Sequence, residues 1–318
     1  ALARADTFER DFAVRWLTSF VSRASIEWFS SVTSEASDDE DSIDERERLL
    51  HDAALLLASC TDMPEAEETD ILRTFSLDSG ISIVLRDEMV GEDHTSVGLQ
   101  TWGSSFILAK RMCQSPSSFG LAPHPSGRPL RILELGAGTG LLSLVATKIL
   151  ARDGISAHIV ATDFHPSVLS NLEHNFSLNI DPEFPDGVEI HIRSLNWRSF
   201  HETTPCALDP VFAEPFDVIL GGDLVYNTLH APWIKSTVKY FLPVRKAGSD
   251  DPVAYFHLIM PLRPTYSAEC DSVGIAFAPS ATPYARELGI LEIEEIERER
   301  GIGRADEPAY RLYKIGWS

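Results

Sequence analysis

Between residues 81 and 318, short apolar runs of strand length alternate with longer stretches whose apolar residues recur every three or four positions. Runs of the first kind suit strands covered on both faces, and stretches of the second kind suit amphipathic helices. The runs at 132–135, 158–162, 188–192, 216–220, 253–260, 290–297 and 309–316 predict seven strands, with a further strand at 81–85 outside the series. Helices are predicted after Trp102 (Phe106, Ile107, Leu108 and Met112 apolar), over 141–150 and over 166–179 (Val168, Leu169, Leu172, Phe176 and Leu178 apolar). Two more are predicted over 233–242 and just before Gly289. Regular alternation of this kind implies an α/β fold, a mostly parallel sheet with helices on both faces. The last two strands are joined by the turn-rich 301–308 and are expected to run antiparallel.

The front of the chain has a different texture. Residues 6–31 place Phe8, Phe12, Trp16, Leu17, Phe20, Val21, Ala24 and Trp28 on one stripe of a helix. An acidic, serine-rich break follows at 34–44. Ser42 and Glu45 then form a capping-box signature for a second helix through about Cys60. Pro64 fits the start of a third, short helix reaching Thr74. Residues 1–79 therefore read as an N-terminal helical extension, and 80–318 as the main domain.

The most informative stretch is 131–142, RILELGAGTGLL. A buried-strand run stops at Gly136, Gly138 and Gly140, and a helix follows at once. A strand turning sharply into a helix leaves backbone N–H groups pointing outward, and missing side chains let a ligand descend onto them. An ordinary tight turn is the plainer alternative. The dinucleotide fingerprint requires a glycine where Leu141 stands, and the chain contains no phosphate-loop or nucleophile-elbow motif. Asp163 ends the next predicted strand, 25 residues beyond Gly138, where an acid can accept from both hydroxyls of a ribose. It could also act as the N-cap of the helix that begins near Pro166, and the two roles are compatible. Gly136–Gly140, Asp163, Asn196 and Asp223 all fall at the ends of predicted strands, where open α/β sheets bind ligands.

Composition narrows the field. At 318 residues and 44% apolar, the chain is long enough for one large α/β domain and an appendage. No apolar run approaches the length needed to span a bilayer. The chain starts without methionine and without a basic-then-apolar leader, which reads as a trimmed start. Cys60, Cys113, Cys206 and Cys270 are widely spaced and form no C-x-x-C; with scattered histidines and no H-E-x-x-H, no metal is expected. The same cysteine usage points to a reducing compartment, cytoplasmic with nuclear as a further option. Net charge is −21, with 8 basic and 23 acidic residues in 1–95 against 19 and 25 in the remainder. Such a surface repels phosphate backbones and favours basic protein partners, so neither nucleic acid nor membrane is expected as a partner.

Five motifs stand together in order: GLQTW at 98–102, ELGAGTG at 134–140, the TDF…L-x-N-L pattern around Asp163, L-x-W at Leu195–Trp197, and D-x-x-Y at Asp223–Tyr226. Together they resemble the family-16, METTL21-type class of seven-strand S-adenosylmethionine-dependent methyltransferases, whose characterised members mostly methylate protein lysines. The likeness covers residues 80–318. It implies a Rossmann-like seven-stranded methyltransferase sheet, mostly parallel with an antiparallel last strand. It also implies S-adenosyl-L-methionine as cofactor and S-adenosyl-L-homocysteine as product. The helical front resembles the extensions of members that act on translation elongation factors, so the expected partner is such a protein, bearing the target lysine, with the enzyme acting as a monomer.

By the same resemblance, Gly136, Ala137 and Gly138 line the methionine and ribose part of the cofactor, and Asp163 holds the ribose. Glu134, two residues before the first glycine, faces the cationic ligand. Trp197 lies against the adenine, and Trp102 flanks the methionine end. Family members often carry aspartate where Asn196 stands; its amide oxygen can accept the same bond from the adenine amino group. Asp223 and Tyr226 border the acceptor amine as the catalytic pair. Core packing is the plainer alternative for Trp102, Trp197 and Tyr226. A small-amine methyltransferase and a cofactor-binding module without activity are the competing functional classes.

Overall fold

The computed structural model describes residues 16–20, 53, 71–87, 97–180, 184–185, 187–203, 208–244, 253–263, 267–278, 286–299 and 307–318. The chain divides into two compact units, residues 1–69 and 70–318. In the first, residues 16–20 are helical, with Trp16 and Phe20 stacked at 5.5 Å. The rest of the first predicted helix, nearly all of the second, and the third as far as Asp70 lie outside the described residues.

The second unit opens with an antiparallel hairpin, β1 (Ile71–Ser76) and β2 (Ser82–Asp87). Residues 71–74 were expected to end a helix and are instead strand. Thr74 and Phe75 suit an extended chain. Pairing with β2 also supplies backbone partners that a short, isolated helical turn lacks. The hairpin straddles the boundary expected between 79 and 80.

The main sheet comprises β3 (Leu130–Glu134), β4 (Ala157–Asp163), β5 (Val188–Ser194), β6 (Val218–Gly222), β7 (Tyr255–Leu262), β8 (Leu288–Glu297) and β9 (Ala309–Trp317). Its order is β5-β4-β3-β6-β7-β9-β8. Strands β3 to β7 pair in parallel, and β9 is inserted antiparallel between β7 and β8. The order reverses at β3 and β6, which makes this pair the switch point.

The helices are α1 (Gly103–Gln114), α2 (Leu141–Arg152), α3 (Pro166–Asn179), α4 (Trp197–Glu202), α5 (His230–Phe241) and α6 (Ser267–Ala276). One face of the sheet, with Ile132, Ile159 and Leu220, packs in a common core with Met112 of α1, Val145 of α2 and Leu172 of α3. The other, with Leu133, Val160 and Ile219, packs with Ile234 and Val238 of α5 and Val273 of α6. Covering on both faces explains why these strands read as unbroken apolar runs.

Three asparagines on α3 link this frame to the hairpin. Asn171, Asn175 and Asn179 are spaced four apart and therefore share one face of the helix. The backbone N–H of Arg86 donates to Asn175 Oδ1 (2.7 Å) and that of Val84 to Asn179 Oδ1 (2.9 Å). In return, Asn171 Nδ2 donates to Arg86 O (3.0 Å) and Asn179 Nδ2 to Val84 O (2.6 Å). The amides thus act as a substitute strand along the free edge of β2. Asn175 also donates to Thr139 O inside the glycine bend (3.0 Å). Replacing Asn175 by alanine strips a partner from buried backbone groups at two places. It is expected to destabilise the domain by about 2 kcal/mol; equilibrium denaturation checks this, and a loss within error of zero would contradict the role assigned to the amide.

Candidate active site

The bend between β3 and α2 is held open in an unusual conformation. Gly136 and Gly138 have φ of 56° and 54°. A Cβ on Gly136 would lie 2.7 Å from Leu224 and 3.2 Å from the Trp197 ring; one on Gly138 would lie 3.0 Å from the carbonyl oxygen of Gly98. Neither position admits a side chain, both for want of space and because of the left-handed backbone. The N–H of Ala137 donates to Thr162 O (2.8 Å), and the Thr162 hydroxyl donates to Glu134 O (2.7 Å), tying the bend to β4.

Asp163 stands beside it. Its Oδ2 accepts from Gly138 N–H (3.3 Å), and its Oδ1 from Phe164 and His165 N–H (2.8 and 3.1 Å). The N-cap of α3 is His165, so Asp163 is not the helix cap; it closes an Asx turn one step earlier. Burial raises its pKa, and the three backbone donors work against that rise.

Glu134 does something not anticipated from the sequence. Gly140, the N-cap of α2, has no side chain to cap with, and Glu134 Oε2 accepts the N–H of Ser143 in the first helical turn (2.9 Å). Besides the ligand-facing role expected of it, at least one Glu134 carboxylate oxygen serves the orphan donors and positive end of α2. Asn196 likewise caps α4, accepting from Arg198 N–H at 3.0 Å. Its oxygen retains a second lone pair, so a further bond is compatible with the cap.

Trp197 packs against Gly136 and meets His230 edge-on at 6.2 Å; its buried Nε1 has no hydrogen-bond partner among the described residues. Such a donor beside a ligand-admitting bend suits a site built for a polar, flat molecule. Trp102, expected near the methionine end, lies beside a residue that follows β6. Its ring lies 6.4 Å from that of Tyr226, with the Arg263 guanidinium 5.4 Å above it.

Asp223 follows the Gly221–Gly222 pair and has φ of 55°; Ser79 is the other positive-φ non-glycine among the described residues. Strain of this sort collects where a side chain must be aimed. Asp223 is buried and accepts from Arg263 Nη2 (2.8 Å). Burial, followed by the neighbouring Asp223, pushes the Tyr226 hydroxyl well above the ordinary tyrosine range.

The bend, Asp163, Trp197, Asp223, Tyr226 and Trp102 thus converge at the switch point. Sequence reasoning missed Arg263, Glu307 and the Asp87–Thr101–Thr139 chain of hydrogen bonds that ties residue 101 to the bend. Arg263 and Glu307 are charged residues at the ends of apolar strand runs, which was a usable signal. Among the described residues, His158, Glu189 and His191 bring ligating atoms within 4.8 Å of one another, lower on β4 and β5.

Sheet order, the single antiparallel strand and the glycine bend facing an acid on the next strand match the seven-strand Rossmann-like sheet implied by the likeness to S-adenosylmethionine-dependent methyltransferases. The orphaned Trp197 nitrogen and the side-chain-free bend are compatible with that cofactor. The family model described as lysine methyltransferase matches residues 85–245, just over half of the chain, and the chain belongs to that family. It is 31% identical over 211 residues to the protein-lysine N-methyltransferase EFM2 of Saccharomyces cerevisiae, covering 64% of this chain and 46% of that one. To the protein-lysine N-methyltransferase rrg1 of Schizosaccharomyces pombe it is 29% identical, covering 49% and 46%. To the protein-lysine N-methyltransferase EEF2KMT of Mus musculus it is 28% identical, covering 50% and 44%. The matches span about half the length of these relatives.

Burial raises the Glu134 pKa from 4.5 to about 7. A carboxyl group with a raised folded-state pKa stabilises the fold below its unfolded value, and that contribution is lost as pH rises through the folded value. Glu134→Gln keeps an acceptor for Ser143 without the charge. The variant is therefore expected to gain stability relative to wild type as pH rises from 4.5 to about 7. Paired denaturation curves of the cofactor-free protein read the difference, and a pH-independent difference would refute the assignment.

Proposed function

We propose that this chain is an S-adenosylmethionine-dependent protein-lysine N-methyltransferase acting on a translation elongation factor. One observation carries the reading: the acidic and aromatic group of Asp223, Tyr226 and Trp102 stands next to the glycine bend, joined to it by Leu224 against Gly136. Gly136, Ala137 and Gly138 would line the methionine and ribose part of the cofactor, and Asp163 would hold the ribose hydroxyls. Trp197 would lie against the adenine, with Asn196 accepting from its amino group. Glu134 would act from behind, by holding the first turn of α2.

When bound, the cofactor supplies an electrophilic methyl group on a sulfonium: the new N–C bond forms from the amine lone pair as the C–S pair stays on sulfur. The chain has to present that lone pair in line and to exclude water. A lysine amine with an ordinary pKa of about 10.4 must first release its proton to solvent; a drop of roughly three units corresponds to about 4 kcal/mol. Desolvation in the cleft favours the neutral amine, whereas Asp223 favours the cation. Asp223 is accordingly assigned to binding and aiming the amine, not to removing its proton. The Tyr226 ring can offer a face to the cationic amine, worth about 0.5–2 kcal/mol.

The likeness to EFM2, rrg1 and EEF2KMT supports a protein acceptor. The net charge of −21 favours a basic one and disfavours nucleic acid. Among the described residues no helix is long and apolar enough to cross a membrane. Cys113 and Cys270 are free thiols, which supports a cytoplasmic setting. A monomer is the assembly we propose.

Asp163→Ala is expected to weaken cofactor binding at least tenfold by calorimetry, and unchanged affinity would remove Asp163 from the ribose. Asp223→Ala should abolish transfer while leaving cofactor affinity within a few fold; near-normal turnover would take Asp223 out of the acceptor site. Incubating cell extract with methyl-labelled cofactor and the protein should place label on a lysine of an elongation factor, identified by mass spectrometry. Label confined to small molecules would overturn the reading.

A further inference from the structure

The residue that meets Asp223 is itself buried and charged. Arg263 lies just past β7, and its side chain is 5% exposed. Its Nη2 donates to Asp223 Oδ2 (2.8 Å) and to Glu307 Oε1 (2.6 Å), and its Nε donates to the same Glu307 oxygen (2.9 Å). Glu307 also accepts from the Tyr310 hydroxyl (2.9 Å). The Arg263 plane sits above Trp102, whose ring neighbours Tyr226. One guanidinium thus touches three parts of the acceptor site: the strained acid, the aromatic wall and a second buried acid. Burial by itself would depress the Arg263 pKa; Asp223 and Glu307 more than offset this, so the group stays charged.

We propose that Arg263 is a positioning residue for the acceptor amine: it fixes Asp223 from a seat over Trp102 and, as a permanent cation, offsets part of the negative charge that Asp223 and Glu307 present. This rests on the reading of Asp223 and Tyr226 as the acceptor site. Without Arg263 the two buried acids would bind an ammonium more strongly and hold it protonated, which is the unreactive form. With Arg263 in place, Asp223 still offers an oxygen to aim the amine, but the field on the nitrogen is weaker and the neutral form is easier to reach. The same balance tolerates the positive charge that appears on nitrogen when the N–C bond forms and the C–S pair moves to sulfur. Groups facing this field from neighbouring elements are Tyr226 after β6, Glu307 just before β9 and Tyr310 within it, Cys270 on α6 and Asp163 at the end of β4.

The test uses the sign of two opposite charge changes, read on the acid limb of the kcat–pH profile with the identified protein substrate. Removing the cation with Arg263→Gln stabilises the ammonium, so the limb should move up by about one pH unit and kcat on the limb should fall about tenfold. Glu307→Gln leaves Arg263 in place and removes an acid, so the limb should move down by about one pH unit. Arg263→Lys keeps the charge and should hold the limb near its wild-type position while lowering kcat through loss of the fork. Calorimetric cofactor affinity within a few fold of wild type shows which variants are folded, and Glu307→Gln decides the matter if Arg263→Gln is not. Limbs that stay put, or that move in the same direction in both glutamine variants, would overturn the proposal while leaving a wild type that methylates lysine as a lysine methyltransferase. A wild type that labels no lysine would overturn both.

Discussion

The structure turns on a backbone conformation at one point. The chain must leave β3 and enter α2 through residues with left-handed dihedrals, in a space walled by Leu224, Trp197 and Gly98. A bend of this kind has few hydrogen bonds of its own, so it must be held from outside. Thr162 and Asp163 hold it from β4, Asn175 from α3, and Glu134 secures the helix that follows. Much of what surrounds the site holds a short stretch of partly buried backbone rigid, with no side chain at Gly136 or Gly138.

That constraint explains why so many polar groups are buried near the sheet ends. Asn171, Asn175, Asp163, Glu134 and Asp223 are all almost inaccessible. Each is engaged with backbone donors, carbonyls or a guanidinium, as buried polar groups must be. The asparagine row shows the economy of the arrangement, since one helix face both completes the edge of β2 and reaches the bend. A variant at Asn175 or Glu134 therefore acts on the bend and its helix as well as on local stability.

Charge is arranged differently on the side proposed for the acceptor. There Arg263 stands between two buried acids, Asp223 and Glu307. A buried ion triad contributes little to stability compared with apolar packing of the same volume. Its presence at the strand ends beside Trp102 and Tyr226 fits the proposed need for a set field at an acceptor amine. The half proposed for the cofactor thus combines backbone, amides, the Asp163 carboxyl group and the Trp197 ring, and the half proposed for the acceptor sets a guanidinium between two acids beside two further rings.

Much of this was legible in the chain itself. Apolar runs covered on both faces identify strands whatever their neighbours, so the seven strands and their alternation with helices could be read directly. Glycines with no alternative, and acids at strand ends, marked the bend and its surroundings. Other features depended on contacts between distant segments. Residues 71–74 became strand because β2 was available to pair with them, and local composition carries no record of a partner. Glu134 and Asn196 each cap a helix start, a role their sequence positions did not reveal, because capping depends on where the backbone donors point. Arg263 and Glu307 lie 44 residues apart and meet only when β9 enters the sheet antiparallel beside β7. Periodicity along the chain determined which segments are strand, helix and bend; only the tertiary structure decided which charges meet, because electrostatic pairing depends on distance in space and not on order in sequence.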